Sequence, residues 1–169
     1  MALGLRRGAA SSPYDRTRLL SEATKARKKG KRKKALTLYE RIIQNEPENI
    51  EVLRRLAPLL AQNRRPVDAW KAFRKVGESM AEAGFADKAI GVYREAARYL
   101  ADYAEVYEAL AAAQLKARSR ADAVQTLLEG RRQFRNRRRR PQAVRLLRRV
   151  REIDPQALNP TLDLARLLR

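Results

Sequence analysis

The sequence of 169 residues repeats with a period of 54 residues, and this repeat constrains the fold more than any other feature. Lys34 to Tyr39, Lys88 to Tyr93 and Gln142 to Leu147 carry the same alternation of small and large residues at equal spacing. A fixed period of some tens of residues is typical of proteins in which one supersecondary unit is stacked on the next. Because a single unit cannot bury its apolar face alone, such units share a continuous core.

The local pattern is helical throughout. Apolar and small residues recur every three or four positions, as at Leu53, Leu56 and Leu60, and no stretch alternates as a strand would. Short breaks between the periodic segments make consecutive helices pack antiparallel. The pattern therefore predicts an all-α fold of about nine helices. Their predicted ranges are 15–29, 31–45, 49–63, 66–83, 86–100, 103–117, 120–137, 141–153 and 157–168.

A shorter pattern within the period resembles the tetratricopeptide repeat (TPR) family. The positions that carry the resemblance in 16–49 are Ala23, Gly30, Ala35, Tyr39, Ile42 and Pro47. Segments 50–83 and 104–137 keep several of them, and the resemblance covers about 16–169. The sequence departs from the family because its anchoring alanines alternate between spacings of 34 and 20 residues. These alanines are Ala35, Ala69, Ala89, Ala123 and Ala143. Three helices therefore form each 54-residue unit, and helix 66–83 belongs to two successive repeats.

The resemblance implies antiparallel helix-turn-helix repeats that form a right-handed α-solenoid. We predict a single TPR-like domain over 15–169, preceded by a flexible N-terminal segment over 1–14. In this family the concave face holds a peptide from a partner protein, and one version clamps a terminal carboxylate with Lys, Asn and Arg. The matching positions here are Leu20, Thr24, Arg54 and Pro58, so the clamp is not present in its known form.

The composition argues against an enzyme. The chain has no His and no Cys, so it lacks the commonest general base near neutral pH and the usual soft metal ligands. No serine has a histidine partner for nucleophilic catalysis. We therefore expect no catalytic residues, no cofactor and no metal site. No apolar run reaches the roughly 18 residues of a membrane span, and no secretory signal is recognisable, so we expect a cytoplasmic protein.

The net charge of +20 is concentrated at the two ends of the chain. Residues 1–45 hold 13 basic and 3 acidic residues, residues 46–129 hold 13 of each, and residues 130–169 again hold 13 and 3. Each basic cluster straddles a predicted turn, and Gly30 and Arg138 are equivalent positions two periods apart. Since six antiparallel helices separate these turns, we predict that both clusters lie on one basic edge, opposite a largely acidic one.

We predict that this basic edge binds a partner. Its residues are Lys28, Lys29, Lys31, Arg32, Lys33, Arg64, Arg65, Arg137, Arg138, Arg139 and Arg140. Acidic protein segments, nucleic acid backbones and anionic membrane surfaces are all attracted to such clusters. The favoured function is a scaffold that recruits partner proteins with acidic segments. The alternative is binding of nucleic acid or nucleoprotein. Because few aromatic residues accompany the clusters to stack on bases, such binding would contact the backbone and would not depend on nucleotide sequence.

The last predicted helix raises a separate question. Repeat arrays normally end with a helix whose outer face is polar. Here Leu164, Leu167 and Leu168 predict an open apolar edge. The terminus would then dock on another molecule, self-associate, or continue beyond Arg169 in the natural chain.

Overall fold

The computed structural model describes residues 14–156 and 158–168, and the predicted flexible segment lies outside them except for Tyr14. The described residues form nine α-helices, one short 3-10 helix and no β-strand. The α-helices are α1 (Arg16–Lys28), α2 (Arg32–Asn45), α3 (Ile50–Gln62), α4 (Pro66–Glu82), α5 (Ala86–Tyr99), α6 (Ala104–Lys116), α7 (Arg120–Gln133), α8 (Arg140–Ile153) and α9 (Leu158–Leu168). The predicted all-α fold is confirmed.

Consecutive helices pack antiparallel in two layers. At the start of α1, the Arg16 Nε atom lies 3.4 Å from a carboxylate oxygen of Glu46, which follows the end of α2. Likewise, Arg120 at the start of α7 donates to the carbonyl oxygen of Ile153 at the end of α8. Helices α3 and α5, α4 and α6, and α6 and α8 also touch, so alternate helices share a layer. The result is a helical-repeat solenoid.

Four turns between helices have the same backbone conformation. One residue in each has a positive φ: Gly30 (69°), Arg64 (59°), Gly84 (80°) and Arg118 (60°). In the first turn, the Lys31 N–H donates to the Ala26 carbonyl at 2.9 Å and the Gly30 N–H to the Arg27 carbonyl at 3.0 Å. This pair of bonds is the Schellman motif that closes a helix. The four positions are spaced 34, 20 and 34 residues apart, in the alternation that the alanines predict.

The α7–α8 connection breaks this rule. The predicted helix 120–137 ends at Gln133, and a 3-10 helix at Arg137–Arg139 leads into α8. Phe134 is buried against Tyr107, with ring centroids 6.5 Å apart and nearly perpendicular planes. The Asn136 side-chain oxygen accepts from the Arg138 N–H at 3.0 Å, a local bond that competes with helical ones. Arg138 therefore does not adopt the conformation of Gly30, although the two positions stand two periods apart in the sequence.

Small residues let neighbouring helices approach closely. The repeat alanines, such as Ala35, Ala89 and Ala143, are at most 1% exposed. At Gly77 in α4, an added Cβ would stand 2.3 Å from Cζ of Tyr93 in α5. Helix α5 thus places a tyrosine ring directly against the backbone of its neighbour.

Helix α9 packs on α8 and changes the interpretation of the terminus. Leu164 is only 3% exposed, and Leu167 is half-buried against the core formed with α6, α7 and α8. The predicted open edge is therefore wrong for Leu164 and only partly right for Leu167, because this face of α9 covers α8. The side chain of Leu168 lies outside the described residues, whereas Leu162 is 56% exposed. Self-association through α9 stays a prediction.

Candidate binding grooves and basic turns

The predicted partner-binding residues occupy three connections between helices. Lys28 to Lys33 surround the α1–α2 connection, Arg64 and Arg65 lie between α3 and α4, and Arg137 to Arg140 lie between α7 and α8. All have exposed side chains except Arg140, which is half-buried. Because the helices alternate in direction, these connections join the same ends of the helices. The action of these residues as one partner-binding edge stays a prediction.

Two of the predicted residues already pair with acidic side chains. Arg65 donates to Glu40 and, through Nε at 2.9 Å, to Asp68. These hydrogen bonds, that of Glu40 first, raise the pKa of the Arg65 guanidinium. Arg139 Nη2 lies 3.3 Å from Oδ2 of Asp102, in the neighbouring α5–α6 connection. The other nine form no ion pair with a residue that the structure describes, so solvent ions or a partner must balance their charge.

Within the part of the chain that the structure describes, three grooves open between pairs of helices of the same layer whose backbones stand apart. They lie between α1 and α3 (about 510 Å³), between α2 and α4 (about 440 Å³) and between α5 and α7 (about 350 Å³). We call them the α1–α3, α2–α4 and α5–α7 grooves. Helix α3 forms the floor of the second groove, and helix α6 that of the third.

The α1–α3 groove is basic. Its lining residues are Arg16, Thr17, Leu20, Ser21, Thr24, Lys25, Lys28 and Arg55. Arg55 Nη1 lies 3.3 Å from the Thr24 hydroxyl and so crosses from α3 to α1. Lys28 belongs both to this groove and to the first basic cluster, so the cluster continues into the groove. Leu20 and Thr24 hold the positions that match the family's clamp. Arg16 and Arg55 were missed by sequence reasoning because only folding brings them together.

The α2–α4 groove has an apolar floor and is crossed by ion pairs of the protein itself. Leu53, Leu56 and Leu60 of α3 form the floor. Arg65, at the start of α4, bridges to Glu40 on α2. Lys75 of α4 bonds Glu48 beyond the end of α2. Its charged groups are thus largely satisfied within the chain.

The α5–α7 groove is polar on both its walls and its floor. Arg94 and Arg98 of α5 form one wall, and Asp122 and Glu129 of α7 form the other. Gln114 of α6 lies in the floor at 4% exposure. Its side-chain oxygen has no hydrogen-bond partner among the described residues.

Other chemical features point to structure rather than to a reaction. Burial, followed by the charge of Glu78, raises the pKa of Tyr93 to about 12, so this phenol stays protonated as a packing group. Within 14–156 and 158–168 no three His, Cys, Asp or Glu residues cluster as a metal site would. Across the same residues no helix is both long and apolar enough to cross a membrane.

Comparison with known proteins reveals a likeness in fold. No family model and no curated protein matches the sequence. Among solved structures, the MamA protein is 16% identical with a TM-score of 0.38, over 89% of this chain and 90% of that one. TTC0263, a thermophilic TPR protein in Thermus thermophilus, is 17% identical with a TM-score of 0.34, over 90% and 98%. YrrB, described as a TPR protein with an unusual peptide-binding site, is 10% identical with a TM-score of 0.36, over 88% and 91%.

The internal geometry identifies the architecture without help from these low scores. Helical hairpins, Schellman turns and buried alanines recur at the same alternating spacing. The chain is a TPR-like helical repeat protein.

Proposed function

We propose that this protein is a scaffold that recruits a partner protein by binding an acidic, extended segment of it in the α1–α3 groove. One observation carries the proposal: of the eight lining residues, four are cations and none is acidic. Lys25 and Lys28 form no ion pair with any described residue, so both are free to meet a carboxylate. Leu20 offers an apolar contact between them and the far end of the groove.

The other two cations are already held in place. Arg16 pairs with Glu46 at 3.4 Å, and Arg55 pairs with Glu51 at 2.6 Å, one turn earlier on α3. Each guanidinium keeps further donors for a ligand. Because these side chains are ordered before binding, a partner loses less conformational entropy in using them. The surrounding net charge of +20 speeds the encounter with an acidic segment.

The test is fluorescence anisotropy with a labelled peptide of about ten residues, rich in glutamate with two leucines, and its glutamine counterpart. The variant Lys25→Gln/Lys28→Gln removes the two free cations. Lys88→Gln/Lys116→Gln removes the same charge outside the grooves. At up to about 1 kcal/mol for each exposed ion pair, the first variant loses roughly tenfold in affinity and the second much less. Equal losses in the two variants would show attraction to net charge and overturn the proposal.

A second candidate function is binding of a nucleic acid backbone by the basic edge. The α7–α8 connection favours it. The described α1–α2, α4–α5 and α7–α8 connections stand at equivalent places in the repeat. Among these three, only the α7–α8 connection departs from the Schellman pattern. It also carries the densest run of arginines. Arginine also suits phosphate because it donates two parallel hydrogen bonds.

This candidate predicts affinity for a short duplex that falls steeply and log-linearly with salt. Arg137→Gln/Arg138→Gln would reduce that slope by about two, since the slope counts phosphate contacts. Lys88→Gln/Lys116→Gln, which removes the same charge outside the basic edge, serves as the charge-matched comparison. A duplex that does not bind at moderate salt would remove this candidate and leave the peptide-binding scaffold.

A further inference from the structure

The α2–α4 and α5–α7 grooves are the same groove at two successive units of the repeat. All ten residues that line the α5–α7 groove stand 54 positions after a residue that lines the α2–α4 groove. For example, Leu53 corresponds to Tyr107 and Asp68 to Asp122. Since each unit contains three helices, the walls of the first groove lie in one layer and those of the second in the other. The two grooves therefore open on opposite faces of the solenoid.

The floors of these two grooves differ in a way that packing does not explain. In the floor, Leu60 of the first groove is replaced by Gln114 in the second. On the adjoining wall, Ala72 of α4 is replaced by Thr126 of α7. Both polar residues are nevertheless buried, at 4% and 7% exposure. The Gln114 side-chain oxygen has no partner among the residues that the structure describes. An unsatisfied buried polar atom destabilises a fold, so a hydrogen-bond donor from outside the chain would stabilise this one. The oxygen of Gln142 is likewise unpaired, but only Gln114 lines a groove.

The two walls of the α5–α7 groove carry opposite charges, whereas the α4 wall of the first groove is mixed. In the α2–α4 groove the acid Glu40 stands on α2, and Asp68, Lys71 and Lys75 stand on α4. In the α5–α7 groove the cations Arg94 and Arg98 stand on α5. The ion pair between Arg65 and Glu40 bridges the α2–α4 groove, and no such described pair bridges the α5–α7 groove.

No described ion pair crosses the α5–α7 groove. Arg94, Arg98 and Asp122 have no ion pair with a described residue, and Glu129 accepts only a 3.3 Å hydrogen bond from Gln125 on its own helix. Two cations thus face two anions across a groove with an unsatisfied acceptor in its floor. The complementary ligand is dipolar, with an anionic group, a cationic group and a hydrogen-bond donor between them.

We propose that the α5–α7 groove is a second binding site, for an extended peptide segment in which an acidic and a basic residue are adjacent. Successive side chains of an extended chain point to opposite sides. The acidic side chain therefore reaches Arg94 and Arg98 while the basic one reaches Asp122 and Glu129. The Gln114 amide then turns its oxygen, which is buried in the free protein, toward a backbone N–H of the peptide. The site is separate from the α1–α3 groove, and its ligand does not require a net negative charge.

The repeat itself supplies the decisive variant. Gln114→Leu restores the residue found at position 60 of the equivalent groove. It removes the unsatisfied oxygen, so the midpoint of thermal unfolding rises, while binding at this site weakens. A residue kept only for the fold would not combine a gain in stability with a loss of binding.

The experiment measures anisotropy of a labelled peptide of alternating glutamate and lysine, which has no net charge. Glutamate-rich and all-glutamine peptides of equal length are the comparisons. We expect the alternating peptide to bind, with at least a fivefold loss in Gln114→Leu and about a tenfold loss in Asp122→Asn/Glu129→Gln. The charge-matched control is Glu82→Gln/Asp87→Asn, which lies outside the grooves and leaves the affinity unchanged.

Several results would overturn this proposal. They are failure of the alternating peptide to bind, equal binding of the all-glutamine peptide, unchanged binding in both groove variants, or destabilisation by Gln114→Leu. The last would mean that the protein itself satisfies Gln114. The Lys25→Gln/Lys28→Gln variant affects only the glutamate-rich peptide, so failure here and failure of the proposed scaffold function remain distinguishable.

Discussion

Gly77 allows α4 and α5 to approach each other, and its replacement by alanine tests that role directly. A Cβ at this position would lie 2.3 Å from Cζ and 2.6 Å from the hydroxyl oxygen of Tyr93. Ordinary contacts begin near 3.4 Å, so the ring or the helix must retreat by roughly 1 Å. The ring cannot turn aside freely, because Tyr93 is only 6% exposed and Trp70 packs 6.3 Å away.

The chain provides a matched control for the same substitution. Gly91 lies in the middle of α5, is exposed, and has no atom within 4 Å of an added Cβ. Replacing a mid-helix glycine by alanine gains about 1 kcal/mol in helix propensity at either site. Overpacking a core costs about 1–3 kcal/mol, and only Gly77→Ala incurs that cost. The difference between the two variants therefore isolates the packing cost, which we expect at about 2–3 kcal/mol.

The measurement is urea unfolding followed by circular dichroism, supported by thermal melts. At roughly 2–4 °C per kcal/mol for a chain of this size, the melting temperatures of the two variants should differ by about 5–10 °C. Gly91→Ala should melt above the parent and Gly77→Ala below Gly91→Ala. The double variant Gly77→Ala/Tyr93→Leu should recover part of the loss, because leucine stands at the equivalent position 147.

One result would refute this reasoning. In the first unit the equivalent pair is Ala23 and Tyr39, so an alanine is accommodated between α1 and α2. If Gly77→Ala is as stable as Gly91→Ala, then α4 and α5 can relax to that arrangement at no cost. The close approach at Gly77 would then be a consequence of glycine and not a requirement of the fold.

Three further predictions follow from the turns and the core. Gly84→Ala should lose roughly 1–2 kcal/mol in urea unfolding, because its φ of 80° strains a residue with a Cβ, and Arg118→Gly at φ 60° should lose nothing. Burial raises the pKa of Tyr93 to about 12, so the phenol loses its proton more readily in the unfolded chain than in the folded one. The free energy of unfolding should therefore keep its full Tyr93 contribution below about pH 10 and fall as the pH rises toward 12. The fall should be smaller in Tyr93→Phe. Phe134→Ala should cost about 3–5 kcal/mol by removing a buried ring packed on Tyr107, and a melt within about 2 °C of the parent would contradict this.

Local periodicity was sufficient to predict the repeat and most helix ends. The turn glycines Gly30 and Gly84 and the alanines mark where each helix must stop or approach a neighbour, and these requirements act over a few residues. The same turn conformation recurs at Arg64 and Arg118, where no glycine marks it. At these two turns the spacing of the repeat, and not the residue type, predicts where the helix ends. The α7–α8 connection could not be predicted this way, because its path depends on burial of Phe134 against a ring in another helix.

The binding surfaces were decided by tertiary structure. Sequence reasoning placed the basic clusters at turns but missed Arg16 and Arg55, which line one groove from two helices. It also overlooked Gln114, although its difference from Leu60 one period earlier is visible in the sequence. The amino-acid sequence by itself determined the helices, their order and the period, because these depend on local spacing. Which helices of a layer touch and which leave a groove depends on side-chain packing between distant segments, and only the folded chain establishes it.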